Sequence, residues 1–468
     1  MFWIKEIQEI LMNISVILAA GEGTRMKSKL PKVLHKVCGK ELVKYVLDAS
    51  DKAGIDKKIL ILGHGKDKIM DSLDESDVLF EEQPVGDEFP YGTGYAVMQA
   101  EKHISDEDIV IVLNGDVPMI RDETIRNFMN YHNEEKCSAS VLTALFENPF
   151  GYGRIVRDEK DEVSSIVEQK DADENTKKIM EINSGIYCFN GSELKEALKN
   201  LDTDNSQNEY YLTDAIGILK SKGRKIGGYV IEDNVEISGV NNRYQLHELN
   251  EYKKNLINKN HMLNGVTIID PSNTYIEESV VIERDAVIYP GTILEGATSI
   301  GEDSIIGPNS RIIDSTVGNG TSVENSKVIS SKIGNTTTVG PFAYLRPGSE
   351  LGNGVKIGDF VEVKNSRIGD GSKASHLAYL GDGIVGKNVN IGCGVIFVNY
   401  DGKSKNKTII KDNAFVGSNS NLVAPITISE GAYVACGSTI TENVEEETLA
   451  IARARQVNKN GKAKNKYK

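Results

Sequence analysis

Five cysteines are scattered through 468 residues without a single CxxC pair. That spacing excludes a disulfide framework and a thiolate zinc site, and it predicts reduced thiols in a cytoplasmic protein. Long apolar runs are also missing, so no membrane span is expected. Cations are outnumbered, 54 Lys and Arg against 68 Asp and Glu, for a net charge of −14. Such a balance argues against nucleic acid or a membrane surface as partner. The first residues, MFWIKEIQEILMN, have no small-residue cleavage site and are no secretory signal. They are predicted to form a short amphipathic helix, and residues 1–13 are taken as an N-terminal extension. Met12 is an alternative start, with residues 1–11 then untranslated; an intact Met1 in the mass of the native protein would sink that idea. Histidine is scarce too: beyond Gly265 there is only His376.

What is present begins with Leu18–Leu34, LAAGEGTRMKSKLPKVL. It follows the apolar Val16 and Ile17, so a Gly-rich turn is expected at the carboxyl end of a strand. Gly21 and Gly23 let backbone N–H groups close around a ligand, while Thr24, Arg25 and Lys32 add a hydroxyl and two cations. A nucleoside triphosphate suits that combination. The P-loop GxxxxGK[ST] is excluded by spacing, and GxGxxG fails because Met26 stands three residues past Gly23. The alternative for GEG alone is a tight turn with chance surface charges.

Two halves follow different periods. Up to about Val240, short apolar runs (Ile59–Leu62, Ile109–Leu113, Val141–Leu145) alternate with amphipathic stretches. This predicts an α/β domain over 14–242, Rossmann-like with a mainly parallel sheet. Asn114, Gly115 and Asp116 fall at a strand's carboxyl end, where such sheets gather ligands. Residues 243–264 predict a linker helix with Leu246, Leu249, Leu256 and Ile257 as its apolar stripe. From 265 to 452 apolar residues recur every six positions, as in Ile333, Val339, Leu345, Leu351, Ile357 and Val363, and again in Val416, Leu422, Ile428, Val434 and Ile440. Neither 3.6 nor 2 is the period here; a β-helix of hexapeptide repeats is expected. Val398–Lys411 breaks the repeat and is expected as an extruded loop. Residues 453–468 form a basic tail without acid.

With both halves in view, the chain resembles the bacterial bifunctional N-acetylglucosamine-1-phosphate uridyltransferase/glucosamine-1-phosphate acetyltransferase family. The resemblance runs from about Ile14 to Lys462 and rests on LAAGEGTRM, PKVLHKVCGK, NGDVP, GYGRI, EINSG, GVNNR, LRPGSEL, FVEVK, KASHLAYLGD, NIGCG, NYDG and LVAP, in that order. It implies a left-handed parallel β-helix after the nucleotidyltransferase domain, and two steps. Glucosamine-1-phosphate is acetylated from acetyl-CoA; N-acetylglucosamine-1-phosphate then attacks the α-phosphorus of UTP, releasing pyrophosphate. UDP-N-acetylglucosamine, a precursor of peptidoglycan and other envelope polymers, is the product.

The resemblance also implies sites. Asp116 and Asn241 would hold Mg²⁺, a hard cation suited to oxygen ligands. Leu18, Ala19, Ala20, Gly21, Gln83, Gly92 and Thr93 would hold the uracil, with Arg25 and Lys32 offsetting phosphate charge. The link EEQPVGDEFPYGTG is longer and more acidic than the family's usual QxxQLGTG-like segment, which makes Gln83 the least secure of these equivalents. Gly153, Glu168 and Asn183 match the amino-sugar contacts. In the second half His376 is the expected general base, since a neutral amine must attack the thioester. Arg346, Lys364, Tyr379 and Asn390 would bind the sugar phosphate. Asn399, Tyr400, Ser418, Arg453 and the small residues Cys393 and Cys436 would contact acetyl-CoA. A homotrimer is implied, with the acetyl-transfer site between subunits.

Three other readings compete. A nucleotidyltransferase with a merely regulatory β-helix needs no base, against His376, Asn399 and Tyr400. A γ-class carbonic anhydrase needs three histidines where this half has one. A non-catalytic assembly subunit would not need the intact LAAGEGTRM, Lys32 and Asp116.

Overall fold

In the computed structural model, residues 11–463 are described apart from 74, 75, 87 and 206. The helix expected before the first strand, and the last residues of the basic tail, lie outside the described residues. The chain divides into two compact units, Met1–Glu251 and Tyr252–Lys468. No described helix is long and apolar enough to cross a membrane.

The first unit is built on β1 (Asn13–Ala19), β2 (Lys57–Leu62), β3 (Val78–Glu82), β4 (Ile109–Asn114), β5 (Ala139–Leu145), β6 (Arg154–Arg157), β7 (Val163–Val167), β8 (Glu181–Asn190) and β9 (Ile226–Val230). Their order is β9-β5-β8-β4-β1-β2-β3, with the β6–β7 hairpin attached through β6 to β8. All pairs along that order are parallel except the two made by β8, which runs antiparallel to β4 and β5. Helices cover both faces, so the central strands are apolar on both sides. Alternation then sorts one strand into two cores: Ile17 of β1 packs on one side, Ile14 and Val16 on the other.

The long helix spans Arg243–Leu263. Leu249 and Ile257 are buried, but Leu256 is exposed, contrary to the expected stripe. Lys254 and Asn258 are buried in its place. Both find backbone partners: Lys254 Nζ donates to Ser272 O at 3.1 Å, and Asn258 Nδ2 to Pro271 O and Thr274 O at 3.0 and 3.1 Å. Hydrogen bonding, not hydropathy, decided which side of this helix faces inward.

The second unit is a left-handed parallel β-helix whose short strands stack into three sheets of 11, 10 and 9 strands. Every member of the two hexad series is buried. Each coil places its aliphatic side chain on the one below, as in Val339 beside Ile357 and Ile391 beside Val416. Burial of each contributes about 1.5–3 kcal/mol. Inward hydroxyls close the corners: Ser372 Oγ donates to Gly386 O at 2.7 Å and accepts from Val389 N at 2.9 Å. Successive coils lie 17 residues apart there, but 25 apart across the insertion, from Lys387 to Asp412.

That insertion is shorter than expected. Thr408–Ile410 is a strand of the coil, with Thr408 and Ile410 buried. The β-branched TII run meets the hexad rule, so only 399–407 leave the helix, folded back by a bridge between Tyr400 and Lys405.

Candidate functional sites

At the carboxyl ends of β1 and β4 lies a cavity of about 590 Å³, lined by Leu18, Ala19, Ala20, Gly21, Arg25, Lys32, Gln83, Gly92, Thr93, Asn114, Asp116 and Asn241, among others. The sheet itself assembles them, because β1 is flanked by β2 and β4 and all three point the same way. Gln83, from the unusual link, is buried and faces this cavity, its N–H donating to Leu62 O at 2.7 Å. Of the two turn glycines only Gly23 is demanded by backbone geometry. Its φ is 65°, and a Cβ would stand 2.8 Å from Lys32 Cβ; a Cβ on Gly21 would meet nothing. Gly92 is tighter still, with φ 120° and a Cβ position 2.3 Å from Tyr210 O.

Charge in the cavity is arranged in two contacts. Lys32 Nζ pairs with Asp116 Oδ2, and Arg25 Nη2 donates to Asn241 Oδ1 at 2.8 Å. The carboxylate and the amide are therefore each covered by a cation. Among the described residues no group of three or more His, Cys, Asp or Glu could cage a metal.

Gly153, Glu168 and Asn183 form a separate cluster beside the cavity. Asn183 N donates to Gly153 O at 2.9 Å, and a Cβ on Gly153 would stand 3.1 Å from Glu168 Oε1. Asn183 Nδ2 donates to Tyr187 Oη at 2.8 Å. Burial, with Asp171 and Asp214 nearby, pushes the Glu168 carboxyl above its usual range.

In the β-helix, His376 ends the strand Lys373–His376 with its side chain 59% exposed. Its Nδ1 lies 2.8 Å from Asp359 Oδ1 on the preceding coil. Arg346 Nη1 donates to Glu362 Oε1 at 2.8 Å. Below Lys364 and Tyr379 sits Asp382, only 8% exposed. It accepts from Asn365 Nδ2 and Asn399 Nδ2, both at 2.6 Å. Burial alone would raise this carboxyl, but the two amides and the Lys364 and Lys405 cations hold it below its usual range. The Lys364 ammonium in turn pushes Lys405 down. Gly381 keeps the floor open, because a Cβ there would stand 2.5 Å from Tyr379 Oη and 2.8 Å from Asn399 Nδ2. Asn390 lies on the next coil, in register with Lys373.

Cys393, Ser418 and Cys436 stack on consecutive coils. The ladders pair Ile391 with Val416 and Val416 with Val434, which carries the register to these corners. Arg453 Nη1 donates to Cys436 Sγ at 3.4 Å and so extends the column. Tyr400, 58% exposed, donates to Gly402 O at 2.8 Å. Asp359 and Lys405 are polar neighbours outside every motif quoted above, whereas Glu362 and Asp382 fall within FVEVK and KASHLAYLGD without a role having been expected of them.

Residues 14–235 match the nucleotidyl transferase family, and 279–314 with 330–365 match the bacterial transferase hexapeptide (six repeats) family. The curated relatives include the bifunctional protein GlmU of Clostridioides difficile (strain 630), 56% identical over 96% of this chain and 96% of the relative. Those of Alkaliphilus metalliredigens and Acetivibrio thermocellus are each 55% identical, over 96% and 95% of this chain and 97% and 95% of theirs. The chain belongs to the GlmU family of bifunctional proteins. As a GlmU protein it is a two-activity enzyme of UDP-N-acetylglucosamine synthesis, nucleotidyltransferase in its first half and hexapeptide-repeat acetyltransferase in its second. Nucleotide, sugar phosphate and acetyl-CoA are the substrates that follow.

Proposed function

We propose that the two reactions are divided between the two residue sets described above. In the first unit the Leu18–Gly21 backbone, Gln83, Gly92 and Thr93 bind the uridine of UTP. Gly153, Glu168 and Asn183 hold N-acetylglucosamine-1-phosphate, whose phosphate attacks the α-phosphorus in line while pyrophosphate leaves. Lys32 and Arg25 neutralise the phosphates. Asp116 and Asn241 fit Mg²⁺, because one carboxylate and one amide leave positions for water and phosphate oxygens, the coordination this cation prefers. When bound, the ion would supply positive charge to the transferring phosphoryl group. Lys32 holds Asp116 now, and its ammonium is free to turn to phosphate when the carboxylate takes a cation.

In the second unit His376 takes the proton from the amine of glucosamine-1-phosphate as nitrogen attacks the thioester carbonyl. The carbon–sulfur bond breaks, and the departing CoA thiolate takes the proton that His376 removed from the amine, leaving as the thiol. Arg346, Lys364, Tyr379 and Asn390 bind the sugar phosphate; Asn399, Tyr400, Cys393, Ser418, Cys436 and Arg453 contact acetyl-CoA. A homotrimer completes this site between subunits. We assign the enzyme to the cytoplasm, where its five free thiols stay reduced. The domains divide as a 1–13 extension, 14–242, a 243–264 linker, 265–452 and a 453–468 tail.

The observation that carries the reading is His376, the sole imidazole of the β-helix, held by a carboxylate one coil away. Release of free CoA thiol from acetyl-CoA and glucosamine-1-phosphate tests it. Wild type is expected to release thiol and His376→Ala to lose about 10²–10⁴-fold in rate. Light scattering alongside is expected to show a trimer. A fully active monomer refutes the shared site, and an active His376→Ala refutes the base.

A further inference from the structure

The contact between His376 and Asp359 is built into the backbone. The strands Lys356–Asp359 and Lys373–His376 pair in parallel, and the register sets Asp359 directly beside His376. Leu377 N donates to Asp359 O at 2.9 Å, which ties the two coils at this step of the ladder. Gly358, one residue earlier, has no room for a side chain: a Cβ would stand 2.0 Å from Ser375 O. The backbone is therefore closely apposed just before the pair.

The residues that follow turn the chain sharply. Phe360 and Leu377 have φ of 57° and 45°, in the left-handed region that bulky side chains disfavour. Phe342, one coil earlier, has φ 59° and stacks on Phe360 at 5.5 Å between ring centroids. Left-handed residues turn other corners of this β-helix too, as at Asn325, Asn388 and Asn419. Here one turns the chain immediately after Asp359 and another after His376, so the winding sets both side chains at one corner.

We propose that Asp359 is the positioning residue of the acetyl-transfer base, its carboxylate accepting from Nδ1–H of His376 and so leaving Nε2 as the lone-pair nitrogen. The proposal rests on the reading of His376 as that base. A neutral imidazole has one donor and one acceptor nitrogen, and the hydrogen bond at one selects the role of the other. Without the carboxylate both tautomers are populated and the ring turns freely, so a fraction of encounters find no acceptor facing the amine. Its own backbone N–H and the His376 ring hold the Asp359 carboxyl below the usual range, so it is anionic throughout the working pH of such an enzyme. Glu362, in the next strand of the same coil as Asp359, is engaged by Arg346.

The test uses the full chain as assembled, with Asp359→Asn, Asp359→Ala and His376→Ala compared to wild type. Asparagine keeps the shape but offers a donor as readily as an acceptor, so it no longer selects the tautomer. For Asp359→Asn we expect kcat of acetyl transfer to fall about tenfold, with KM for both substrates within about twofold and uridylyl transfer unchanged. Asp359→Ala is expected to fall at least as far. Protein labelled with ¹⁵N-histidine gives an independent readout. The His376 resonances, identified by their loss in His376→Ala, are expected to report Nδ1–H in wild type and a mixture in Asp359→Asn. Unchanged kcat, or an unchanged tautomer in Asp359→Asn, overturns the positioning role while leaving the base intact. Acetyl transfer that survives in His376→Ala overturns the base reading instead.

Discussion

Asp382 offers the sharpest test of how the proposed acetyl-transfer site is held together. It is buried, and it accepts at 2.6 Å from two amides, Asn365 and Asn399. Replacing it by alanine removes both acceptors. Asn365 is exposed and can turn to water, so its loss is small. Asn399 is buried, and its amide is left without a partner. A hydrogen bond to a charged acceptor contributes about 1.5–3 kcal/mol, and the Asn399 bond, the one that ties the loop, is taken at about 2 kcal/mol. That shifts the opening equilibrium of the 399–407 loop about thirtyfold. The loop carries Lys403, Lys405 and Lys407, which makes trypsin the natural probe. Cleavage is expected to accelerate at least tenfold in Asp382→Ala, with acetyl transfer falling in parallel and uridylyl transfer unaffected. Asp382→Asn is expected to lie between, because its own NH₂ must face one of the two donors. Acid provides a second axis. A carboxyl lowered in the folded state lends stability that is complete above its unfolded value, near 3.8, and is lost as pH falls through the folded value. Wild-type protection of the loop, followed in acid by hydrogen exchange because trypsin is inactive there, should therefore persist at pH 4 and fail only as pH falls through the folded value, whereas Asp382→Ala should show no such acid step. Cleavage and acetyl transfer both within about twofold of wild type would refute the buried-acceptor argument.

Asp116→Asn keeps the size of the side chain but removes the charge that pairs with Lys32; uridylyl transfer is expected to fall about 10²–10³-fold, measured as pyrophosphate release, while acetyl transfer continues. Leu345→Ala, at a fully buried rung of the β-helix, is expected to cost about 2–5 kcal/mol, seen by calorimetry as an earlier transition of that unit; a loss below about 1 kcal/mol would mean that the rung is not close-packed.

The period of six makes the β-helix legible in the sequence, because an inward aliphatic at every sixth position leaves no other repeat that buries it. The α/β half is legible for a related reason: strands covered on both faces must be apolar throughout, and Ile109–Leu113 is. What the sequence hides are choices made by hydrogen bonds. Leu256 loses its place on the inner side of the long helix to Lys254 and Asn258, whose partners are carbonyls 13–18 residues onward in the chain. The edge of the extruded loop is hidden because Val398–Lys411 looks like one break, although TII within it keeps the coil's pattern. The cavity proposed for the nucleotide is legible as a motif, and Gln83 lines it despite the longer link. No rule of local spacing shows that a loop of altered length still returns one side chain to the same wall.

The proposed acetyl-transfer site shows where such a rule does exist. In a β-helix each residue touches the residue one coil earlier, and near the site a coil is 16 or 17 residues long. Counting back by that length from His376 reaches Asp359, from Asn399 reaches Asp382, and from Asp382 reaches Asn365; from Glu362 it reaches Arg346. Each count lands on a side chain in hydrogen-bond contact. The supporting residues are therefore written in the sequence at the coil length, not at the hexad length. They stay hidden when the repeat is used only to find the core and a motif only to find the site. A solenoid converts a fixed separation along the chain into contact in space, because its neighbours are set by the winding and not by folding back of distant segments. The same rule, applied to any site residue of this half before the insertion, names the side chain whose replacement should disturb it.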